Sequence, residues 1–324
     1  KTRTVWFTFA AVATLLFLLA AFRPIGLDQD SENYVQYYYG NTEQILEFTF
    51  TAISALVSFF ADSPRGMFVV YALLGILLHT WAVTRSTPFW LLALVVWMGN
   101  FYLYQEVTQI RVAVAAGLFL VGLSYLAKGE KRTYLLFSLA AACFHYSAFV
   151  LPLLTFFGSR PLTLRGRLVI GAIPLLGYLL FFGGFDPIAS LPIPWIQEKL
   201  WIYERLRDSG MAGDAINVFN IVYVMRLLVF YLLLWKYDVI KEQAPNLSLL
   251  LKVFAISYFC FTALGALPVM AFRYAELFGV VEIVMVPYLA LTMKPEAFGK
   301  SLVIVFAFGC MMLNVFYNEL LKLS

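Results

Sequence analysis

The sequence predicts an all-α fold, a polytopic integral membrane helical bundle, from three observations. Of its 324 residues, 62% are hydrophobic and only 13% charged, and mean hydropathy is +0.82. A soluble globular chain is about 45–50% apolar and about 25% charged. The apolar residues come in long runs, near the ~20 residues that cross about 30 Å of hydrocarbon. Between the runs, Lys and Arg gather in short loops, as they do on the cytoplasmic side of membrane proteins. Lipid is therefore the solvent for most of the chain, which excludes a cytosolic enzyme, a nucleic-acid binder and a secreted domain. Cys143, Cys260 and Cys310 lie in apolar stretches without CxxC spacing and read as small hydrophobes.

The first run, 4–22, is longer than a signal-peptide core, and Ala20-Ala21-Phe22-Arg23-Pro24 makes a poor cleavage site, so it reads as a retained helix. Further spans follow at 66–84, 88–104, 109–127, 168–183, 217–238, 247–268, 274–292 and 300–320. Two more apolar stretches, 44–61 and 133–157, bring the expectation to about 9–11 membrane helices. The basic loops (Lys1/Arg3, Arg85, Lys128/Lys131/Arg132, Arg160/Arg165/Arg167, Lys236/Lys241/Lys252, Lys294/Lys300) belong inside, and the acidic stretch 23–62 outside. Parity then requires 133–157 to enter and return on one side, and 44–61 likewise. Both read as re-entrant or interfacial, which is tolerated where protein or a water-filled cavity satisfies the backbone.

One transmembrane domain is expected over 1–324, with external segments 23–62 and 184–216 near an active-site cavity. The second segment is too long for a bare connector. Its middle, Pro194 to Asp208, has the caps of an amphipathic helix and mixes Trp195, Trp201 and Tyr203 with charge.

Three polar constellations fall on the outer side under this assignment. In Asp28-Gln29-Asp30-Ser31-Glu32-Asn33-Tyr34, Asp30 or Ser31 caps a short helix that Gly40 ends, with Tyr34 and Tyr38 one turn apart. A tyrosine belt at the headgroups accounts for the rings but not for the acidic pair. In Gln105-Glu106-Val107-Thr108-Gln109-Ile110-Arg111 the arginine opens an Ala- and Gly-rich helix. It either snorkels or, because small residues let neighbours approach, lies within the bundle. Arg273 ends another span, and Arg226 lies inside a helix, where a charge marks either a structural ion pair with Glu276 or Glu282 or an anionic ligand. His79 reads as interfacial. His145, at the middle of the suspected hairpin with Ser147, has a structural role or a catalytic one. No HxxxH, HExxH, GxSxG or P-loop spacing occurs, so metal, serine-hydrolase and nucleotide chemistry have no local support.

The order and spacing of these landmarks, the acidic residue and tyrosines after the first span, Gln109-Ile110-Arg111, Lys128-Gly129-Glu130-Lys131-Arg132 and Phe144-His145-Tyr146-Ser147-Ala148, resemble the EpsG family of Wzy-like polysaccharide polymerases. The motifs cover 24–157, with Arg273 a looser match. Val112 departs from the Gln that often follows the arginine, which removes a polar contact there. The resemblance implies a GT-C-like membrane glycosyltransferase of the bacterial plasma (inner) membrane with its active site facing the periplasm. It would join undecaprenyl-pyrophosphate-linked oligosaccharides by moving the growing glycan to the non-reducing end of the next unit, as in O-antigen synthesis. Implied partners are that lipid-linked oligosaccharide, membrane lipid and a chain-length regulator, with no nucleic acid, cofactor or metal.

Residue chemistry suggests compatible roles. Arg111 and Arg273, then Arg226, suit the leaving diphosphate, because arginine binds phosphate bidentately and keeps its charge. Asp28 and Asp30, with Glu47 behind them, are candidate bases for the acceptor hydroxyl. Tyr34, Tyr38, Trp195 and Trp201 suit stacking on sugar rings. The rival readings are a lipid-linked-saccharide transporter, with charges along a path to both faces, and a membrane acyltransferase with His145 as base.

Overall fold

The computed structural model describes residues 3–42, 46–61, 63–185, 190, 201, 205 and 216–322. Among them 78% are helical and none lies in a strand. The helices run α1 (Arg3–Phe22), α2 (Ser31–Tyr38), α3 (Phe48–Phe60), α4 (Arg65–Ser86) and α5 (Trp90–Trp97), which continues as a π-helix over Met98–Thr108. Next come α6 (Ile110–Leu126), α7 (Lys131–Phe144), a 3-10 helix at Tyr146–Phe156, and α8 (Leu164–Phe182). Then follow α9 (Ile221–Trp235), α10 (Tyr237–Ile240), α11 (Leu247–Ala263), α12 (Pro268–Gly279), α13 (Glu282–Met285), a 3-10 turn at Val286–Leu291 and α14 (Glu296–Phe316). Among the described residues, five stretches are long and apolar enough to cross a membrane: α1, α4, α8, Pro268–Leu291 and α14; α3, α6, Tyr146–Phe156, α9 and α11 are shorter apolar helices. The chain is thus an all-α polytopic membrane bundle, as its composition predicts.

Two compact units divide it. The first comprises Lys1–Ser159, Glu242–Asn246 and Glu282–Ser324. Its α1 buries Phe9, Ala13, Leu16 and Ala20, spaced four, three and four apart, while Trp6, Phe7, Leu15, Leu18, Leu19 and Phe22 stay exposed. A helix apolar on both faces is stable only where its outer face meets lipid. At the centre runs α6, in which every residue but Arg111 and Tyr125 is buried. Gly117 lies against Leu78 and His79 of α4, and Gly122 against Tyr134 and Phe137 of α7. The small residues do bring neighbouring helices close, which sets Arg111 inside the bundle.

The stretch 133–157 is a hairpin. α7 stops at Phe144, His145 is extended (φ −152°, ψ 123°), and the 3-10 helix returns along α7, with the Tyr134 hydroxyl donating to the Leu151 carbonyl at 2.5 Å. The Ser159 hydroxyl donates to the Ala127 carbonyl at 2.6 Å, so the chain comes back to the end it left. This is the return that loop-charge parity asks for. Its neighbour α3, with 13 residues, covers about 20 Å and falls short of the bilayer core.

The second unit comprises Arg160–Lys241 and Leu247–Val281. Thr163 caps α8 by accepting the Gly166 N–H at 3.1 Å. α8 packs on α11, where Gly177 makes room for Phe259 and Thr262, and α11 packs on α12. The Tyr178 hydroxyl links the Tyr258 hydroxyl at 2.9 Å and the Val218 carbonyl at 3.0 Å. Residues 194–208, the expected amphipathic helix, lie outside the described residues except for Trp201 and Arg205. All three cysteines are free; Cys310 is buried and Cys260 half-buried, whereas Cys143 is exposed on the α7 face that carries Leu136 and Leu139.

A Cβ at Gly117 would meet the Leu78 Cβ at 2.7 Å. Gly117→Val is therefore expected to lower stability by about 1–3 kcal/mol through overpacking. Gly129→Asn, at a left-handed position with φ +84° and open space around it, is expected to be near neutral. Unfolding midpoints in detergent compare the two.

Candidate functional site

The N-terminal acidic pair splits into two fates. Asp28 is fully buried, pairs with Arg23 Nε at 2.9 Å, and accepts the N–H groups of Asp30 at 3.0 Å and Ser31 at 2.8 Å. Asp28, not Asp30, thus holds the start of α2; the Asp30 side chain makes no cap bond, and its residue is half-buried. Gly40, at φ +76°, ends the helix as its permissive backbone allows. Tyr34 is buried on the inner face of α2, against Phe50 and Phe68. Tyr38 is half-buried, its hydroxyl 3.4 Å from the Ala61 carbonyl.

Glu47 connects three elements. It precedes α3, pairs through Oε2 with Nη1 of Arg111 at the start of α6, and lies through Oε1 3.2 Å from Nδ1 of His145 at the hairpin tip. The tip is fastened to the same place: the Thr49 hydroxyl donates to the Cys143 carbonyl at 2.6 Å, and the Tyr146 hydroxyl to the Leu46 carbonyl at 3.1 Å. On its far side His145 Nε2 is 3.2 Å from the Ser147 hydroxyl. A carboxylate facing Nδ1 holds the ring proton there and leaves Nε2 as the acceptor.

Around the Arg111 guanidinium stand Tyr34 at 5.5 Å, Phe50 at 5.8 Å and Tyr37 at 6.0 Å, an aromatic cage of cation–π geometry. Arg111 Nε is buried without a hydrogen-bond partner. Burial works to raise the Glu47 pKa but is outweighed by the hydrogen bond from His145 and the charge of Arg111, which bring it down to about 2. Burial pushes the Tyr34 hydroxyl up to about 12, against the pull of Arg111. Glu47 is therefore held in its ionised form, in contact with Arg111 through one oxygen and His145 through the other.

Tyr37 and Phe50 also line a cavity of about 460 Å³ with Tyr38, Thr42, Thr51, Ser54 and Ser58. Aromatic faces and hydroxyls in one cavity are a lining that suits a sugar. Glu47, Arg111, Tyr34, Tyr38 and His145 thus converge in the first unit. Arg226 and Arg273 belong to the second. There Arg226 is buried, donates from Nη1 to Glu276 Oε1 at 2.7 Å and lies 4.7 Å from the Tyr223 ring; Tyr223 donates to the same carboxylate oxygen. The structural ion pair is the partnership observed. Arg273 is exposed on α12. Trp201 is exposed with the Arg205 guanidinium 3.9 Å over its ring, and Trp195 lies outside the described residues.

One buried pair was not anticipated. His79, expected at the interface, is fully buried within α4, its Nδ1 3.0 Å from Glu106 Oε1 and its ring stacked on Trp97 at 4.6 Å. Gly75 leaves room for the Glu106 carboxylate. The available signal was Glu106 itself, an ionisable group in an apolar run, since such residues mark function or pairing by default.

Because the Glu47 pKa is depressed from an ordinary 4.5 to about 2, its ionised form stabilises the fold fully above pH ~4.5. That contribution is lost as pH falls from about 4.5 through about 2. Thermal unfolding of the detergent-solubilised protein is expected to show this acid loss, and Glu47→Gln to lower the midpoint at pH 7 and flatten the acid limb.

No curated protein and no solved structure matches the chain. The EpsG family model matches residues 6–323, which include the Glu47–Arg111–His145 cluster and nearly all of the apolar bundle around it. The chain belongs to the EpsG family, a Wzy-like polymerase-associated family.

Proposed function

We propose that this chain is a glycosyltransferase that polymerises a bacterial surface polysaccharide such as O-antigen. In this reading it has a GT-C-like bundle in the inner membrane, and its Arg111 cage faces the periplasm. It takes the growing glycan from undecaprenyl pyrophosphate and joins it to the non-reducing end of an incoming lipid-linked unit. A chain-length regulator is the partner such a polymerase calls for. The observation that carries the reading is one cluster holding a cation, an oriented imidazole and an adjoining cavity lined by aromatic rings and hydroxyls.

The transfer breaks the anomeric C–O bond to the diphosphate, so negative charge builds on the departing lipid diphosphate. Arg111 is aimed at that charge; a fixed donor of this kind is worth about 3–4 kcal/mol of barrier. The acceptor hydroxyl loses its proton as the new C–O bond forms. His145 Nε2, held by Glu47 on its other nitrogen, is the acceptor this geometry favours. Asp28 is already committed to Arg23 and to the start of α2. Tyr37 and Tyr38 are placed to stack on sugars in the cavity.

Purified protein in liposomes with undecaprenyl-pyrophosphate-linked repeat units supplies the test. Arg111→Ala is expected to slow elongation about 10²–10³-fold. That change also strands the Glu47 carboxylate, so Arg111→Ala/Glu47→Gln is the companion variant: it is expected to recover the unfolding midpoint and remain slow. His145→Ala is expected to cost about 10²–10⁴-fold. Arg273→Ala tests the second cation separately. Normal elongation by the folded double variant, or movement of saccharide across the bilayer without elongation, would overturn the reading.

A further inference from the structure

The first unit carries a second polar cavity, at the opposite end of α6 from Arg111. Arg111 opens that helix and Ser124 to Lys128 close it, which separates the two by about 20–25 Å of helix. The cavity has a volume of about 530 Å³. Two cations line it, Arg85 and Lys128, together with Ser124 and Asn246, and no carboxylate does among the described residues. Arg85 is exposed yet held in place, its Nε 3.4 Å from the Ser124 hydroxyl and its guanidinium 4.6 Å from the Tyr125 ring. The floor is fixed as well: the Ser86 carbonyl accepts from Asn246 Nδ2 and from the Tyr288 hydroxyl, each at 2.9 Å.

An apolar groove of about 500 Å³ adjoins this cavity, between α1 and α4. Thr84 lines both, and Trp90 of the cavity packs on Phe9 of the groove at 5.8 Å. Along α1 the groove runs from Trp6 to Phe17, and along the antiparallel α4 from Thr84 back to Leu73. Either length is about 16 Å at 1.5 Å per residue, about half of a ~30 Å hydrocarbon core. The groove is therefore one leaflet deep. Trp6 and Trp81 stand at the end near the cavity, where aromatic rings mark the membrane–water boundary.

We propose that this cavity and groove together bind a lipid with an anionic phosphate head group, the head between Arg85 and Lys128 and one chain along α1 and α4. Each half alone has another explanation: arginines snorkel, and grooves between membrane helices fill with bulk lipid. A cationic pocket without carboxylates that opens at headgroup level onto a groove one leaflet deep matches the two parts of one molecule. The lipid occupies the leaflet opposite the Arg111 cage, so the inference does not depend on the proposed transfer reaction.

Native mass spectrometry of the full-length purified protein, titrated with phosphatidylglycerol and separately with inorganic phosphate, tests this. Phosphatidylglycerol is expected to bind, and phosphate at the same concentration to compete at least tenfold less well because it lacks the chain. Arg85→Ala/Lys128→Ala is expected to weaken the lipid at least tenfold with an unchanged unfolding midpoint, both side chains being exposed. Thr14→Trp, from an exposed position in the groove wall, is expected to weaken it by filling the chain's path while leaving both cations. Wild-type lipid affinity in the folded double variant or in Thr14→Trp overturns the proposal. Phosphate competing as well as phosphatidylglycerol also overturns it and leaves a soluble-anion pocket in its place.

Discussion

A guanidinium inside a lipid-embedded bundle persists only where a carboxylate meets it, and the Glu47–Arg111 pair is where this unit answers that constraint. Breaking one partner of such a pair costs about 3–5 kcal/mol, since the survivor is left charged and buried. The geometry of the polar end follows from satisfying it. Glu47 must reach α6, which fixes the start of α3. Its second oxygen is then met by His145, which is possible only because α7 stops at Phe144 and the chain turns there. The hairpin, the short α3 and the tyrosines of α2 are thus arranged about one carboxylate.

The same rule recurs elsewhere. Arg23 meets Asp28, and in the second unit Arg226 meets Glu276, both with little or no exposure. Composition and loop charge made the bundle legible in the sequence because lipid demands long apolar runs whatever their partners. α1, α4, α6, α8 and α14 end within a few residues of the expected bounds. Partnership is different, since it depends on contacts between elements far apart in the chain. Asp28 and Asp30 look alike in the sequence, yet it is Asp28 that pairs with Arg23 and accepts the Asp30 and Ser31 N–H groups at the start of α2. Glu47 ranks behind Asp28 and Asp30 in the sequence, because nothing local reveals that Arg111, 64 positions on, faces it.

Departures from α geometry were also hidden. The run 88–104 reads as one helix, but it widens to π geometry at Met98, and the wide turns carry Asn100, Gln105 and Glu106 into the interior. Gly99 lies there against the Ala307 backbone, and Asn314 donates to the Gly99 carbonyl at 3.2 Å. π segments are rare and cluster at functional sites. Here the cause is visible as packing: a helix with no side chain at Gly99 lets α14 approach, and the widened turn points Asn100 at Glu282, to which its Nδ2 donates at 2.8 Å. Hydropathy, which averages over such turns, contains no trace of this.

The ion pair at the centre raises a chemical question, because a cation already matched by a carboxylate looks spent. Its atoms indicate otherwise. Glu47 takes Nη1 of Arg111 and leaves Nε buried without a hydrogen-bond partner. Guanidinium offers five donors in a rigid fork, so one carboxylate oxygen occupies only part of it. A lysine in the same place would present a single point charge that Glu47 largely neutralises. In the proposed transfer, the donors that Glu47 leaves would meet the leaving diphosphate with their orientation already fixed, and fixed orientation is what makes a donor effective when charge develops. Under the proposed transfer the pair would preorganise Arg111 as well as neutralise it. On this view Arg111→Lys keeps the charge and the fold but loses the fork, and it separates a requirement for charge from one for geometry.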